Sequence, residues 1–323
     1  MSMHEVLVTR KLSSEIVDKL SQTCNLDIWD EDTAIPYDEL LKRVVGKDGV
    51  LCLLTDKMDA RVIEAGADTL KTISTMSVGY DHINMEDCVE RGISVGYTPD
   101  VLTDSVADLA VGLMITAGRR IAEATAAAKN GEWGPWAPYW MTGNDLSHAT
   151  VGIVGMGRIG ATVAKRLQGF DCNVLYTARS AKPEIDAQYG TRYTELDELL
   201  EYSDFITVHA PLTPDTKMMF NTEQFGKMKS NAILINTSRG GLIDQEALYT
   251  ALASNNIYGA ALDVTTPEPL PTDSPLFALS NCLVLPHIGS ASIVTRQKMG
   301  LLAAENLLAG LNGTELPEQV PEA

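Results

Sequence analysis

Three polar residues of complementary chemistry lie in turns of the C-terminal half: Arg239, Glu268 and His287. Arg239 lies among small residues at 236–241, where its planar guanidinium is free to make a two-pronged contact with a carboxylate. Glu268 has a proline on each side, and both prolines restrict the direction of its carboxylate. His287 follows a proline and carries a side chain that exchanges protons near neutral pH. Together the three residue types suit a site that binds an anion and transfers a proton, whereas each alone has a plain alternative as a surface arginine, a loop acid or a capping histidine.

A glycine-rich turn of the pattern G-x-G-x-x-G directly follows the apolar run 151–154 and precedes apolar residues at helical spacing. Between a strand and a helix, its first glycine permits the tight turn and its second lets the backbone approach a pyrophosphate. The third lets the helix pack on the strand. The free N–H groups at the helix N-terminus favour phosphates. We therefore predict that a dinucleotide binds here, through Gly155, Gly157, Arg158, Ile159 and Gly160.

The end of the next predicted strand distinguishes NAD from NADP. An NAD-selective site has Asp or Glu there, bound to the ribose 2′-hydroxyl. Thr177 takes that position, and Arg179, Ser180 and Lys182 follow with two cations and a hydroxyl that suit a 2′-phosphate. We expect NADPH to be preferred and NADH to be the second cofactor. The alternative is that Arg179 and Lys182 only form a solvated turn.

Strand-like runs alternate with helical runs along most of the chain, which predicts parallel sheets with helices on both faces. The predicted strands are 5–9, 26–29, 50–54, 72–76 and 94–97, then 151–154, 173–177, 204–208, 232–236, 257–262 and 282–285. A long amphipathic helix is predicted at 105–120 between the two sets. Another, at 291–310, is expected to return to the first domain, and the acidic end, 315–323, is expected to fray.

Composition excludes several classes of protein. The chain has 323 residues, enough for about two domains, and 45% of them are hydrophobic. The net charge of −18 disfavours a general nucleic-acid or anionic-membrane binder, since both roles need a basic surface. Five cysteines without a C-x-x-C pair indicate reduced thiols, and the start of the chain has no signal-peptide pattern. We expect a cytoplasmic protein without a metal site.

Four segments, 74–82, 96–104, 263–271 and 285–291, strongly resemble signatures of the D-2-hydroxyacid dehydrogenase family, closest to its glyoxylate/hydroxypyruvate reductases. The resemblance covers nearly the whole chain, and the last two segments are highly specific. It implies an α/β fold of two doubly wound parallel-sheet domains. One is a discontinuous, flavodoxin-like substrate domain at 1–98 and 289–323, and the other is a Rossmann dinucleotide-binding domain at 99–288.

The resemblance also implies roles in the reduction of small 2-keto acids, such as glyoxylate and hydroxypyruvate, to D-2-hydroxy acids. Arg239 would bind the substrate, His287 would be the general acid/base with Glu268 as its partner, and the backbone at Val78 and Gly79 would hold the carboxylate. The chain departs from the family pattern at Tyr80 and Gly241, which leaves the preferred keto acid open. Two further residues complete the predicted cofactor-binding set, Thr237 and Asp263. His209 is expected at most to line the cofactor.

Trp133, Trp136 and Trp140 crowd a proline-rich arm, which suggests a surface buried by a partner. With the resemblance, it predicts a homodimer in which the Trp133–Trp140 arm lies near the partner's site. The alternative is an arm folded back on its own chain. Two other functions stay open: an enzyme like D-3-phosphoglycerate dehydrogenase, and a dinucleotide-sensing corepressor that acts as a binding protein.

Overall fold

The structure, a computed structural model, describes residues 3–321. The chain divides into two compact units, Met1–Leu102 with Ala291–Ala323, and Thr103–Ser290. The predicted boundaries, after residues 98 and 288, lie a few residues before these. The assignment of the first unit to the substrate stays a prediction.

The first unit is built on a five-stranded parallel sheet in the order β2-β1-β3-β4-β5. This is the flavodoxin-like order, as expected. Each strand lies within two residues of its predicted position, because β-branched and aliphatic residues mark most of them as short apolar runs. The strands are β1 His4–Val8, β2 Cys24–Ile28, β3 Gly49–Cys52, β4 Thr72–Thr75 and β5 Ser94–Gly96.

The second unit is built on a seven-stranded parallel sheet in the order β12-β11-β10-β9-β6-β7-β8. The predicted number of six strands was wrong, because β8 has only two residues and no hydrophobic run to mark it. It pairs with β7 at the edge of a Rossmann-type sheet. The strands are β6 Thr150–Val154, β7 Asn173–Thr177, β8 Arg192–Tyr193, β9 Phe205–Val208, β10 Ile233–Asn236, β11 Gly259–Leu262 and β12 Cys282–Val284.

Helices cover these sheets. The α-helices are α1 Ser14–Ser21, α2 Tyr37–Arg43, α3 Ala60–Gly66, α4 Met85–Glu90, α5 Thr103–Gly118, α6 Ile121–Lys129, α7 Arg158–Leu167, α8 Pro183–Tyr189, α9 Leu196–Tyr202, α10 Thr222–Lys227, α11 Gln245–Ala253 and α12 Ile293–Leu311. The predicted long helix is α5, which packs against α7 and strands β10 and β11. The late helix is α12, which packs on the first sheet as expected. Among residues 3–321, no helix combines the length and apolar character needed to cross a bilayer.

The end of the chain is ordered, which corrects the expectation that it frays. Val320 is 3% exposed and donates its N–H to the carbonyl of Val95 at 2.9 Å. Glu318 accepts from the N–H of Tyr97 at 3.1 Å, and the buried Asn306 amide donates to the carbonyl of Tyr97 at 2.8 Å. The segment therefore pairs with the edge of the first sheet. Residues 322 and 323 lie outside the described part of the chain.

The tryptophan arm is exposed. Trp133 is 73% exposed, and Trp136 and Tyr139 are each 87% exposed. Trp140 is less exposed, at 44%. Because the other three rings stay open within residues 3–321, the alternative of an arm folded back on its own chain is wrong.

Candidate active site

The glycine-rich turn has the backbone geometry that a dinucleotide needs. Gly155 follows β6 with a φ of +101°, a conformation that favours glycine. A Cβ on Gly160 would overlap the carbonyl oxygen of Gly155, so only glycine permits this close contact between turn and helix. A Cβ on Gly157 would meet nothing within 4 Å, which leaves the N-terminus of α7 open to a ligand. The residues here fit a pyrophosphate group bound at a helix N-terminus.

The predicted 2′-phosphate loop lies beside that turn. The N–H of Gly155 donates to the carbonyl of Thr177 at 2.9 Å, which joins the turn to the end of β7. Arg179, Ser180 and Lys182 follow and are all exposed. Within the described residues, neither cation makes an ion pair, although acidic residues outnumber basic ones by 43 to 25 in the whole chain. Two unneutralised cations at this position fit a bound anion.

Glu268 and His287 form a close pair. The Nδ1 atom of His287 lies 2.5 Å from Oε1 of Glu268, and both side chains are partly exposed. The other carboxylate oxygen of Glu268 accepts from the N–H of Thr265 at 3.4 Å. Since Nδ1 is bound to the carboxylate, Nε2 is the ring nitrogen positioned to exchange a proton with a ligand.

Asp263 holds the loop that carries His287. One oxygen of its carboxylate accepts from the N–H of Ile288 and the other from the N–H of Gly289, each at 2.7 Å. Its carbonyl accepts from the N–H of His287 at 2.9 Å. These bonds hold His287 at a φ of 54°, an unusual conformation for a residue with a side chain. The described contacts of the Asp263 carboxylate are thus with the backbone of the loop that carries His287. Its predicted cofactor contact stays a prediction.

Arg239 follows the end of β10, the strand next to β11. The amide of Asn236 donates to the carbonyl of Arg239 at 2.9 Å, and a guanidinium N–H of Arg239 donates to the carbonyl of Ser238 at 2.9 Å. A Cβ on Gly240 would overlap the carbonyl oxygen of Thr265, so this turn lies against the loop that leads to Glu268. The side chain of Thr237, two residues before Arg239, has a buried hydroxyl without a partner among the described residues, which leaves it available to a ligand.

Electrostatics agree with a charged carboxylate beside the histidine. Burial raises the pKa of Glu268, but the hydrogen bond and charge of His287 outweigh it, with help from the N–H of Thr265 and the charge of Arg239, so the pKa is lowered overall. Burial lowers the pKa of His209 to about 4, and its Nε2 lies 2.9 Å from the hydroxyl of Thr207. A buried neutral imidazole of this kind cannot serve as the acid near neutral pH.

The loop with Val78 and Gly79 belongs to the first unit and follows β4. The hydroxyl of Ser77 donates to the carbonyl of Gly79 at 2.7 Å and lies 2.9 Å from the hydroxyl of Thr75. Thr75 in turn lies 3.0 Å from Nε2 of His82. This chain of polar contacts shapes the backbone at Val78 and Gly79, and sequence analysis missed it. The signal was present in the polar residues spaced through 74–82, but spacing alone does not show hydrogen bonds.

The structure thus brings Arg239, Glu268 and His287 to the ends of three adjacent strands, β10, β11 and β12, and places the glycine turn and the predicted 2′-phosphate loop at the ends of β6 and β7. All these ends lie at the carboxyl edge of one sheet, where open α/β sheets bind ligands.

Residues 111–289, more than half of the chain, match the model of the D-isomer specific 2-hydroxyacid dehydrogenase NAD-binding domain. The chain belongs to the D-isomer specific 2-hydroxyacid dehydrogenase family. A human family member, glyoxylate reductase/hydroxypyruvate reductase, is 49% identical over 98% of this chain and 97% of its own. The protein is therefore an NAD(P)-dependent oxidoreductase, as its sequence predicted.

Solved structures are similar to this chain over nearly its whole length. The TT0316 protein from Thermus thermophilus superimposes with a TM-score of 0.92 at 44% identity, over 98% of this chain and all of its own. An NADPH-dependent glyoxylate/hydroxypyruvate reductase from Sinorhizobium meliloti, in complex with NADP and malonate, superimposes with a TM-score of 0.85 at 30% identity. It covers 99% of this chain and 97% of its own.

Replacing Gly160 with Ala tests the fit of the dinucleotide. The new methyl group overlaps the carbonyl oxygen of Gly155, so the turn must shift, and we expect dinucleotide binding about ten-fold weaker or worse. Fluorescence titration of the purified protein measures it. Gly169→Ala is the control, because a Cβ there meets nothing within 4 Å. Equal binding by both variants would contradict the close contact.

Proposed function

We propose that the protein reduces small 2-keto acids, glyoxylate and hydroxypyruvate, to D-2-hydroxy acids, with NADPH as its preferred cofactor. The observation that carries the proposal is the 2.5 Å contact between His287 and Glu268 at the same sheet edge as Arg239. The names of the human and Sinorhizobium family members support this substrate class.

Each residue has a definable part in this reaction. The reduced nicotinamide, when bound, supplies the hydride to the carbonyl carbon. The guanidinium of Arg239 binds the carboxylate and carbonyl of the substrate, and the backbone at Val78 and Gly79 holds the carboxylate. His287 gives its Nε2 proton to the carbonyl oxygen as negative charge develops there. Glu268 favours the imidazolium form because its negative charge lies against Nδ1.

The preference for NADPH rests on the loop after β7. It lacks the acid that binds a ribose 2′-hydroxyl, and it presents the exposed Arg179 and Lys182 beside the hydroxyl of Ser180. Lys182 and Arg179 keep no ion-pair partner within residues 3–321, so a 2′-phosphate meets cations that are not already neutralised.

The alternative functions are not favoured, because the near-full-length human family member is named as a reductase of glyoxylate and hydroxypyruvate. One assay tests all of them: oxidation of NADPH and of NADH with glyoxylate, hydroxypyruvate or 3-phosphohydroxypyruvate. We expect the first two keto acids to be reduced, faster with NADPH at equal cofactor concentration. Turnover of the phosphorylated acid alone would indicate the phosphoglycerate dehydrogenase reaction, and turnover of none would favour a binding protein. The cytoplasmic location stays a prediction.

We also infer a homodimer in which the arm of one protomer covers part of the other, near its site. The support is the arm itself, since Trp136 and Tyr139 are each 87% exposed and monomer surfaces rarely expose such aromatic density. Sedimentation or light scattering should give twice the chain mass of 34.9 kDa. Trp136→Asp should shift the protein towards the monomer, whereas an unchanged dimer would place the interface elsewhere.

The double variant Thr177→Asp with Arg179→Ala should shift the cofactor preference towards NADH. The new carboxylate binds the ribose 2′-hydroxyl, and the lost charge-assisted contact to the 2′-phosphate accounts for a change of about ten-fold or more in relative kcat/KM. Steady-state kinetics with both cofactors measure the change. Equal or better use of NADH by the unmodified protein would refute the preference.

Glu268→Gln should move the alkaline limb of kcat/KM for keto-acid reduction to lower pH. The pKa of Glu268 is lowered, so its carboxylate is ionised across the working range, and the amide removes that charge while keeping the shape. The amide then no longer stabilises a positive charge on the ring that it contacts. For oxidation of the hydroxy acid, which needs the neutral imidazole, the acid limb also moves to lower pH.

His287→Ala should lower the rate of keto-acid reduction by about 10² to 10⁴, because it removes the general acid, while the cofactor still binds. An alkaline limb that stays in place in Glu268→Gln would leave Glu268 with a structural role only.

A further inference from the structure

The loop that would bind the 2′-phosphate, residues 178–182, has little structural support of its own. Residues 179–182 are exposed. Within the described part of the chain, no hydrogen bond is made by the backbone of 178–181. A loop of this kind would sample many conformations and would lose affinity on being ordered by a ligand. Its two ends, at Thr177 and Lys182, therefore decide where its side chains point.

The C-terminal end of this loop is fixed by a buried phenol. The oxygen of Tyr176 accepts the N–H of Lys182 at 2.5 Å, and its hydroxyl donates to Oδ2 of Asp186 at 3.3 Å. The other oxygen of Asp186 accepts from the hydroxyl of Thr191 at 2.7 Å. Burial raises the pKa of Tyr176, so the phenol stays protonated and able to donate. Strand β7 is thus tied to the loop and to α8 through one side chain.

The hydroxyl of Tyr176 is not needed for packing. The side chain is fully buried in the core of the second unit, and its ring meets that of Tyr193 edge-on at 5.6 Å between centroids. Phenylalanine would fill the same space, whereas only tyrosine offers an oxygen to the N–H of Lys182. Asp186 accepts one hydrogen bond on each oxygen, from Tyr176 and Thr191, and makes no ion pair with Arg179 or Lys182 among the described residues.

We propose that Tyr176 and Asp186 are positioning residues for cofactor selection: they hold the 178–182 loop in the conformation in which Arg179, Ser180 and Lys182 meet a 2′-phosphate. The proposal rests on the proposed preference for NADPH. The adenosine ribose sits at the end of the second strand in sheets of this kind, next to the pyrophosphate turn, and the bond from Gly155 to Thr177 places the loop there. Neither residue touches the cofactor in this scheme, since both act through the backbone of Lys182.

The test is the ratio of the dissociation constants of NAD⁺ and NADP⁺, measured by titration calorimetry on the full-length protein without turnover. In Tyr176→Phe this ratio should fall about three- to ten-fold, the effect of one hydrogen bond, because the loss falls on the 2′-phosphate contacts. Tyr193→Phe is the matched control: its phenol lies 3.4 Å from Glu195 and makes no described contact with the loop, so the ratio should not change.

A second pair of variants distinguishes the hydrogen-bond acceptor of Asp186 from its negative charge. Asp186→Asn and Asp186→Ala remove the same charge, but only Asn still accepts a hydrogen bond from Tyr176. We expect the ratio to be kept in the Asn variant and to fall in the Ala variant, and this pair decides the matter if Tyr176→Phe does not fold. A role limited to starting α8 would lower the thermal stability of Tyr176→Phe and leave the ratio unchanged, which would overturn this inference alone. Equal binding of NAD⁺ and NADP⁺ by the unmodified protein would instead overturn the proposed preference, and this inference with it.

Discussion

In a sheet whose strands all run parallel, every strand ends at the same edge, and this constraint organises the second unit. The glycine turn and His287, more than a hundred positions apart in the sequence, therefore lie along one edge. The glycine turn after β6 and the turns with Arg239, Glu268 and His287 after β10, β11 and β12 share this edge. The sheet order puts β6 and β7 on one side of β9 and β10, β11 and β12 on the other, so the glycine turn and the Glu268–His287 pair lie in different halves of one edge.

Buried polar groups fix the conformation of the loops at that edge. Asp263 illustrates the energetics: burial raises its pKa, while the N–H groups of Ile288 and Gly289 and the charge of His287 act against that rise. A carboxylate removed from water is costly unless its oxygens are bound, and here both are. The free energy of these bonds holds His287 in a conformation that the backbone alone disfavours. The conformation of the loop that carries His287 thus depends on this one buried carboxylate.

Much of this arrangement was predictable from the sequence. The strands of both sheets, apart from β8, follow from short buried runs between turn residues, and the glycine spacing after β6 indicates its turn directly. The pairing of Glu268 with His287 was expected from a resemblance and two prolines, and the structure places the two side chains in contact.

Other features could not be read from the sequence, because they depend on contacts between distant segments. The two-residue β8 has no periodic pattern, and the bonds of Asp263 and Tyr176 to backbone groups leave no trace in residue type. The ordered end of the chain was also missed. Its acidic composition suggested that the segment would be exposed to solvent, whereas Leu316 and Val320 are buried.

That terminal segment has a consequence for the solution behaviour of the protein. Strand β5 is the edge of the first sheet, and an uncovered edge offers unpaired N–H and carbonyl groups to any other extended chain. The antiparallel bridge between Gly96 and Gln319, with the bonds of Val320 and Glu318 on either side, occupies those groups. Residues 318–320 therefore protect this edge from edge-to-edge aggregation. A chain cut back to Gly313 would expose an unpaired, aggregation-prone strand on a strongly acidic molecule whose copies otherwise repel each other.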